Sequence, residues 1–465
     1  MTRPTNILLF HVDQMRQDIA YHTARETYAG VLPEVSLPNL DRLRAEGVPA
    51  RHACCQFPIC GPSRASFITG KYPRQLGAYN NACNIPVHEP TLAHRVAPHG
   101  YQCVALGRTH RQHRGFHKWP EDHSEASYGH RSVGSRLPSD EVVGVYEHPI
   151  GQQHDRQTVD QFERFLNGRD ASQPFCVMLG LMTPHPPFYP PRAFAGRYSP
   201  DDITLPELPE NHWRAKPRMQ RIPAEKGWLC HDVDVRKRIA AAYLDLCTYM
   251  DDCVGRAIAS LEAAGELDNT VVAFFADHGE QLGEHEMLGK FHNVYEGSLR
   301  TPLVLRLPDT AHAGQEIDAL VELVDVVPTV MDYAGLDVPD GLPGRSLRGV
   351  IEQPDAGHRD AVHAMIENGE MIRTDRWKLA IYHDDAIDGE LYDLHADPGE
   401  RHNLFTEPDH ATVRDDLAAR IVRHMMRYHP APSRAAHKSH TGSPDPVPPP
   451  VYPTVAGGHA STEAH

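Results

Sequence analysis

Three runs of apolar residues dominate the pattern of hydrophobic and polar positions along the chain. They lie at 5–13 (TNILLFHVD), 173–188 (QPFCVMLGLMTPHPPF) and 269–280 (NTVVAFFADHGE), and their apolar cores do not alternate with polar residues. Unbroken apolar runs of this kind are typical of strands buried on both faces of a parallel sheet. Each run ends in polar residues, and ligands of open α/β sheets bind at the carboxyl ends of the strands. The pattern therefore predicts one crevice where the three strand ends meet.

Helical periodicity follows in two stretches. Apolar residues step by three or four positions through 235–264, which predicts a long amphipathic helix packed on the sheet. At 319–335 the sequence ALVELVDVVPTVMDYAG predicts a strand or turn, followed by a helix with a proline near its start. Buried strands interspersed with helices indicate an α/β fold, with a large, mostly parallel sheet sandwiched by helices.

The pattern changes from about residue 356. Short apolar runs are separated there by the turn signals Asn368-Gly369 and Asp388-Gly389, which predict an antiparallel meander. The stretch 412–429 then predicts an amphipathic helix. These elements indicate a second, smaller lobe.

The predicted organisation has three parts. A large α/β domain covers 1–355, an antiparallel sheet with a helix covers 356–430, and a Pro-rich tail covers 431–465. The composition of the tail cannot build a core, so we interpret it as disordered. The alternative is an arm that docks on a neighbouring subunit of a homo-oligomer.

The charge balance argues against one class of function. The chain has 46 Lys and Arg against 62 Asp and Glu, a formal net charge of −16, whereas nucleic-acid binders are normally basic. No apolar run reaches membrane-spanning length and the first residues lack the shape of a signal peptide, so we expect a cytoplasmic protein with no membrane partner. The nine cysteines show no CxxC spacing, which disfavours a zinc module and a disulfide framework.

Candidate metal ligands follow two of the buried strands. Asp13 and Gln14 end one strand, and Asp277 and His278 end another. Two carboxylates, an amide oxygen and an imidazole suit a divalent ion such as Ca²⁺, Mg²⁺ or Mn²⁺ better than structural zinc. The histidine favours Mn²⁺ within this group.

One short motif carries the most specific signal. The stretch Cys60-Gly61-Pro62-Ser63-Arg64, followed by ASFITG, resembles the sulfatase signature C-x-P-S-R-x-x-x-x-T-G throughout. Further motifs of that family occur in family order, namely GYQCVALGRTH at 100–110, TPHPPF at 183–188, the ADHGE loop and ELYDLHADPGERHNL at 390–404. The resemblance covers about residues 5–405. It implies the alkaline-phosphatase-like α/β fold with a smaller C-terminal antiparallel lobe.

The resemblance also implies the chemistry. In sulfatases this cysteine, here Cys60, is oxidised by a dedicated formylglycine-generating enzyme to Cα-formylglycine, which also contacts the metal. By the family mechanism one hydroxyl of the aldehyde hydrate attacks the sulfur of a small anionic ester and expels the alcohol. The second hydroxyl then lets the covalent sulfo-enzyme hemiacetal collapse. Such a reaction needs a nucleophile, a Lewis acid and cations that absorb the developing charge.

Residue roles carry over position by position. Arg64 lies one helical turn beyond Cys60 and can reach the hydrate or the metal carboxylates. By resemblance, Lys290 contacts the sulfate and the leaving oxygen, His110 assists collapse of the hemiacetal, and His185 is a candidate general acid. The remaining positions are candidate substrate contacts, Asn81, Thr109 and Arg108, the last standing where the family usually has lysine. We interpret the other polar and aromatic residues near these motifs as structural, surface or packing residues: His285, His292, Trp119, Trp213, Trp228 and Trp377.

The ligand pairs favour a subgroup. Asp13-Gln14 and Asp277-His278, with DHGEQLGEH and AYNNACNIP, resemble the phosphonate monoester hydrolases and the choline-sulfatase-like enzymes. The first hypothesis is a hydrolase of sulfate monoesters of the arylsulfatase type. The alternative is the same machinery acting on phosphonate monoesters or phosphodiesters. A rival from another class is a non-catalytic anion-binding homologue that lacks formylglycine, and a third is a thiol enzyme that uses Cys60 itself.

Overall fold

The computed structural model of the chain describes residues 3–23, 30–110, 112–118, 143–209, 212–225, 230–290, 293–383 and 387–429. The predicted tail at 431–465, Trp119, Trp228 and His292 lie outside these residues. The three-part division of the chain stays a prediction.

Two β-sheets form the framework of the described chain. The larger sheet has eight strands in the order β4-β3-β5-β1-β6-β7-β2-β8, and the smaller has four in the order β12-β11-β10-β9. The strands are β1 (Asn6–Asp13), β2 (Val48–Cys54), β3 (Gln102–Gly107), β4 (His117–Lys118), β5 (Phe175–Pro184), β6 (Thr270–Ala276), β7 (Leu303–Arg306), β8 (Ile317–Glu322), β9 (Val362–Ile366), β10 (Gly369–Arg373), β11 (Trp377–His383) and β12 (Ile387–Asp393).

Helices cover the larger sheet and close the smaller one. The α-helices are α1 (Gln17–Ala20), α2 (Pro38–Glu46), α3 (Cys60–Thr69), α4 (Pro73–Leu76), α5 (Leu92–Val96), α6 (His154–Gly168), α7 (Arg218–Glu225), α8 (Val233–Ala263), α9 (Glu296–Leu299), α10 (Val326–Tyr333), α11 (Arg348–Glu352) and α12 (Ala411–Arg427). The long helix predicted at 235–264 is α8, and the proline-containing helix predicted within 319–335 is α10.

The larger sheet is buried on both faces. Alternate residues of β1 enter opposite cores: Ile7 and Leu9 join one cluster, and Leu8, Phe10 and Val12 join the other. Since side chains of a strand alternate between faces, an unbroken apolar run is what such a central strand requires. The strands from β4 to β6 in the sheet order pair in parallel, whereas β7 pairs antiparallel with both β6 and β2. The prediction of a large, mostly parallel sheet between helices is therefore confirmed.

The smaller sheet is the predicted antiparallel meander, with one error in detail. Its strands pair in chain order, and α12 packs on it through Leu417 and Ile421. The turn predicted at Asp388-Gly389 is wrong, because both residues lie inside β12 and Gly389 pairs with Ile381. A Cβ atom at Gly389 would lie 2.4 Å from the ring of Phe405, so glycine serves a close approach there rather than a turn.

In the described part of the chain, no helix is both long and apolar enough to cross a membrane. The cytoplasmic location stays a prediction.

Candidate active site

The carboxyl ends of β1 and β6 bring the first two candidate ligands together. Asp13 is the last residue of β1, and Asp277 directly follows β6. These strands are parallel neighbours with Val12 opposite Ala276, and the amide N–H of Asp277 donates to the carbonyl of Val12 at 3.1 Å. Both carboxylates are fully buried. The predicted meeting of strand ends is therefore confirmed for β1 and β6, and a crevice at this point stays a prediction.

Helix α3 delivers Cys60 to the same point. Ile59 is extended before the helix, and every residue of α3 is buried. The Sγ atom of Cys60 lies 3.5 Å from Asp13 Oδ1 and 3.2 Å from Nε2 of His278. The same Nε2 lies 3.6 Å from Oδ1 of Asp13 and 3.6 Å from Oδ1 of Asp277. Asp13, Cys60, Asp277 and His278 thus place four ligand atoms within 4.8 Å of one another.

The donor set fits a divalent metal ion. The Nδ1 atom of His278 lies 2.9 Å from the carbonyl of Gly279, so the proton sits on Nδ1 and the lone pair of Nε2 faces the carboxylates. Burial lowers the pKa of His278, which keeps the imidazole neutral as a metal ligand must be. Two carboxylate oxygens and one imidazole nitrogen converge from three directions. Oxygen-rich sets with one imidazole suit Mn²⁺ or Ca²⁺ better than structural zinc.

Arg64 holds the two carboxylates in place. Its Nε donates to Oδ2 of Asp277 at 2.8 Å and its Nη2 donates to Oδ2 of Asp13 at 2.9 Å. A third bond runs from Nη1 to the carbonyl of Arg108. Of the two roles predicted for Arg64, the contact with the metal carboxylates is the one the structure contains. The planar guanidinium fork suits this double contact.

Arg108 adds a second cation to Asp13. Its Nε donates to Oδ2 of Asp13 at 3.0 Å. Burial by itself raises the pKa of Asp13, but neighbouring positive charges, among them Arg64, Arg108 and Lys290, outweigh burial and hold that pKa well below its ordinary value. Asp13 is therefore an anion in the folded protein.

Each polar group of Gln14, in its backbone and in its side chain, forms a hydrogen bond. Its backbone N–H donates to Oδ1 of Asp277 at 3.1 Å, and its carbonyl accepts from the hydroxyl of Tyr243 at 2.8 Å. Its side-chain oxygen accepts from Lys290 Nζ, and its side-chain NH₂ donates to Glu280. Lys290 is buried rather than solvated at the surface. Gln14 has a φ of 70°, a left-handed backbone that these bonds fix.

The two candidate proton-transfer histidines lie on opposite loops. His110 has its Nε2 3.9 Å from Asp13 Oδ2, and burial together with the charges of Arg108 and Arg64 lowers its pKa to about 2. His185 is half-buried, and burial and Lys290 lower its pKa well below its ordinary value. Both imidazoles are therefore neutral near pH 7. A neutral imidazole suits the proton acceptor predicted at His110. His185 must first take up a proton to act as an acid, and a bound anionic substrate would favour this by raising its pKa.

Asn81 and Thr109 have other partners in the structure. The side-chain oxygen of Asn81 accepts from the N–H of Gly61 at 2.8 Å, so Asn81 caps α3 directly beside Cys60. The hydroxyl of Thr109 lies 3.1 Å from Nδ1 of His113. Contact of either residue with a substrate oxyanion stays a prediction.

The electrostatics of Cys60 oppose the thiol-enzyme alternative. Burial, with a further contribution from Asp13, raises the pKa of the Cys60 thiol to about 12. A thiol nucleophile needs a lowered pKa and access to solvent. Cys60 has neither.

Sequence reasoning missed three residues that position the site. Glu280 holds the Gln14 amide, Tyr243 bonds the backbone of Gln14, and Asp155 accepts from the N–H groups of Met182 and Thr183 at 2.8 and 2.9 Å, before the loop that carries His185. The prediction that His285 is structural agrees with its position, because its ring stacks on Tyr295. The signals for the missed residues were weak, since Tyr243 is an ordinary apolar position of α8 in the sequence pattern.

Two packing predictions also agree with the structure. Trp213 packs against the small cluster around Tyr392, and Trp377 packs against the core of the smaller sheet.

Comparisons with known proteins match most of the chain. Residues 5–336 match the family described as Sulfatase, and residues 283–427 match the family described as N-sulphoglucosamine sulphohydrolase, C-terminal. The multifunctional alkaline phosphatase superfamily protein PehA of Trinickia caryophylli is 28% identical over 95% of this chain and 100% of its own length. The choline-sulfatase of Rhizobium meliloti is 30% identical over 90% of this chain and 87% of its own. The solved phosphonate monoester hydrolase of Agrobacterium radiobacter superposes with a TM-score of 0.77 at 24% identity, over 92% of this chain and 96% of its own.

Proposed function

The chain belongs to the sulfatase family, a family of sulfuric ester hydrolases, and we propose that it hydrolyses sulfate monoesters with a divalent metal ion and a formylglycine derived from Cys60. The observation that carries the proposal is the position of Cys60. Its Sγ atom lies beside Oδ1 of Asp13 and Nε2 of His278, at 3.5 and 3.2 Å. A group formed at this side chain would face the metal ligands and the substrate crevice at once.

The metal site is proposed from the donors described above. Asp13, Asp277 and His278 would hold Mn²⁺ or Ca²⁺, with an oxygen of the converted Cys60 in place of its Sγ. Gln14, the residue after Asp13, is the further proposed ligand through its side-chain oxygen. The metal supplies Lewis acidity, and formylglycine supplies a nucleophilic hydroxyl with a second hydroxyl for release of sulfate.

The protein's own side chains supply the remaining functions. Arg64 and Arg108 hold Asp13 as an anion, and Lys290 lies buried against Gln14, where its ammonium can bind an ester oxygen. His110 is neutral and can accept a proton at Nε2, which accepts no hydrogen bond within the described chain. His185 faces the charge of Asp13 from the loop after β5 and is the candidate donor to the leaving alcohol.

A converting enzyme is the partner this proposal requires. Cys60 is 1% exposed, and the helix it starts is buried along its whole length. No enzyme can reach the thiol in the folded chain, so conversion must occur before α3 docks on the sheet. Assembly into a homo-oligomer through the tail is a further proposal, and gel filtration of the full chain against a chain truncated after residue 430 tests it.

The same machinery supports a second candidate function. Phosphonate monoesters and phosphodiesters also place developing charge on oxygens held by cations. PehA is described as multifunctional, and its relationship to this chain, with the ligand pairs Asp13-Gln14 and Asp277-His278, favours this alternative. Rates for an aryl sulfate, a phenyl phosphonate monoester and a phosphodiester, measured side by side, separate the two. Phosphonate turnover far above sulfate turnover would reject the first choice.

Mass spectrometry of the peptide that carries Cys60 tests the core of the proposal. After expression with the converting enzyme, we expect the mass of an aldehyde in place of the CH₂SH side chain within residues 51–64. A free thiol at Cys60 under these conditions would instead favour the non-catalytic anion-binding protein. The Cys60→Ala variant is the matched control, since it removes the site of conversion and changes a buried side chain by one atom.

A further inference from the structure

Gln14 poses a chemical problem that an aspartate in its place would not pose. The two ends of a carboxamide differ, since the oxygen can bind a metal ion and the NH₂ group cannot. A ligand of this kind works only if its surroundings fix which end faces the metal. The structure contains a residue that does this.

We propose that Glu280 is a positioning residue that turns the amide oxygen of Gln14 toward the metal site. Glu280 is fully buried, and its Oε2 accepts from the side-chain NH₂ of Gln14. On the other side, Lys290 Nζ donates to the side-chain oxygen of Gln14. A rotated amide would set its oxygen against a carboxylate and its NH₂ against an ammonium. Both contacts would be repulsive, so the two partners select a single orientation.

Glu280 also fixes the loop that delivers Lys290. Its Oε1 accepts from the backbone N–H of Leu282 at 2.9 Å and from the backbone N–H of Gly289. Gly289 precedes Lys290 directly and has a φ of 83°, a conformation that glycine adopts freely. The buried carboxylate of Glu280 therefore fixes both the side-chain amide of Gln14 and the loop that carries the Lys290 ammonium.

The charge of Glu280 has a second effect on Gln14. An amide whose NH₂ donates to a carboxylate carries more electron density on its oxygen, and partners of this kind raise the basicity of a metal ligand. A glutamine ligand is neutral, so it lacks the negative charge of an aspartate. The carboxylate of Glu280, bonded to the amide of Gln14, supplies part of that charge next to the ligand. The inference rests on the metal site of the proposed function.

A swap of the two residues tests the inference on the full chain. In Glu280→Gln, the oxygen of the new amide stays on the two backbone N–H groups and its NH₂ faces Gln14. Gln14 then has no favourable orientation: unrotated, its NH₂ meets the new NH₂, and rotated, its NH₂ meets Lys290 and the metal. In Gln14→Glu, two buried carboxylates face each other. The double variant Gln14→Glu/Glu280→Gln restores a donor opposite an acceptor, with the carboxylate now on the metal side.

The measurements are the dissociation constant of Mn²⁺, by calorimetry on chelator-stripped protein, and the melting temperature of the stripped protein. We expect Glu280→Gln to weaken Mn²⁺ binding about 10- to 100-fold, which is the usual effect of removing a partner of a metal ligand. We expect Gln14→Glu to lower the melting temperature, and the double variant to recover both Mn²⁺ affinity and melting temperature. Glu322→Gln is the matched control, because Glu322 is an equally buried carboxylate bonded to Tyr72 and to the N–H of His363, on β8.

Each outcome of these measurements supports or overturns the role of Glu280. Mn²⁺ binding by Glu280→Gln within about threefold of wild type overturns the inference and leaves the proposed function intact. Weakened binding in Glu280→Gln without recovery in the double variant also overturns it, because the loss would then reflect general damage. Absence of Mn²⁺ and Ca²⁺ binding by the wild type removes the metal site of the proposed function itself. If Glu280→Gln alone does not fold, a higher melting temperature of the double variant than of Gln14→Glu supports the inference, and an equal or lower one overturns it.

Discussion

Replacing Arg64 by methionine should destabilise the protein strongly when metal is absent and weakly when metal is bound. Arg64 forms ion pairs of 2.9 and 2.8 Å with Asp13 and Asp277, and all three side chains are at most 1% exposed. Methionine keeps the unbranched apolar part of the side chain but removes the guanidinium, and with it the positive charge between the two carboxylates. A bound divalent ion would return positive charge to the same carboxylates.

The magnitude follows from the two ion pairs. At an effective dielectric constant of about 20, two unit charges about 4 Å apart attract each other by about 4 kcal/mol, so the two pairs contribute about 8 kcal/mol. Taking the guanidinium out of water costs several kcal/mol, about 4 here. The difference, about 4 kcal/mol, agrees with the 3–5 kcal/mol that removal of one partner of a buried pair costs. We therefore expect Arg64→Met to lose about 4 kcal/mol of unfolding free energy in chelator.

Urea denaturation in chelator and in saturating Mn²⁺ measures the effect. Arg359→Met is the matched control, because Arg359 is 5% exposed and bridges two carboxylates outside the candidate metal site, Glu322 at 3.0 Å and Asp325. We expect a similar loss in Arg359→Met that Mn²⁺ does not change, and a loss in Arg64→Met that falls by more than half in Mn²⁺. A chelator loss below about 1 kcal/mol, or equal losses with and without Mn²⁺, would refute the reasoning.

Three further perturbations test other parts of the site and the fold. Gly180→Ala should cost about 1–3 kcal/mol in urea denaturation and lower sulfate ester turnover, because the new Cβ would lie 2.3 Å from the carbonyl of Arg108. Asp155→Asn should lower the free energy of unfolding by about 1–3 kcal/mol and lower kcat, because an amide cannot accept from Met182 and from both donors of Thr183. An unchanged kcat would show that Asp155 does not position His185. Burial, with a contribution from neighbouring charges, lowers the pKa of His424 to about 2 and that of His363 to about 4. The folded protein then binds fewer protons than the unfolded chain below pH about 6.5, so stability falls as pH drops from there toward 4. His424→Phe should reduce that slope by about 1.4 kcal/mol per pH unit, measured by urea denaturation at several pH values, and an unchanged slope would contradict the assignment.

The positions of the candidate ligands at the strand ends could be predicted, because they depend on local pattern and on one rule of sheet topology. Asp13 and Asp277 end apolar runs whose pattern predicts buried parallel strands. The carboxyl ends of neighbouring parallel strands lie at the same edge of a sheet. The motif that begins at Cys60 predicts a helix start, and α3 begins at that residue. Sequence pattern therefore determines which residues arrive at the crevice.

The contacts behind the ligands could not be predicted in this way. Tyr243 occupies an ordinary apolar position of α8, and its bond to Gln14 depends on how the helix lies on the sheet. Glu280 meets Gln14 only because the loop after β6 turns back on itself. Five residues of this loop have a positive φ: Leu282, Gly283, His285, Glu286 and Gly289. The error at Gly389 has the same origin, since the ring of Phe405 that excludes a side chain there comes from a later segment.

The arrangement of cations also bears on the order in which the proposed enzyme matures. Two buried carboxylates side by side would repel each other or retain a proton if nothing lay between them. Arg64 occupies that place, so Asp13 and Asp277 can converge before any metal ion arrives. The proposed conversion of Cys60, which is buried in the folded chain, would come earlier still. We therefore infer that maturation has three steps in this order: conversion of Cys60, folding around Arg64, and binding of the metal ion. A folded, unconverted chain should be able to bind Mn²⁺ yet remain inactive after later exposure to the converting enzyme, and recovery of activity on such exposure would contradict this order.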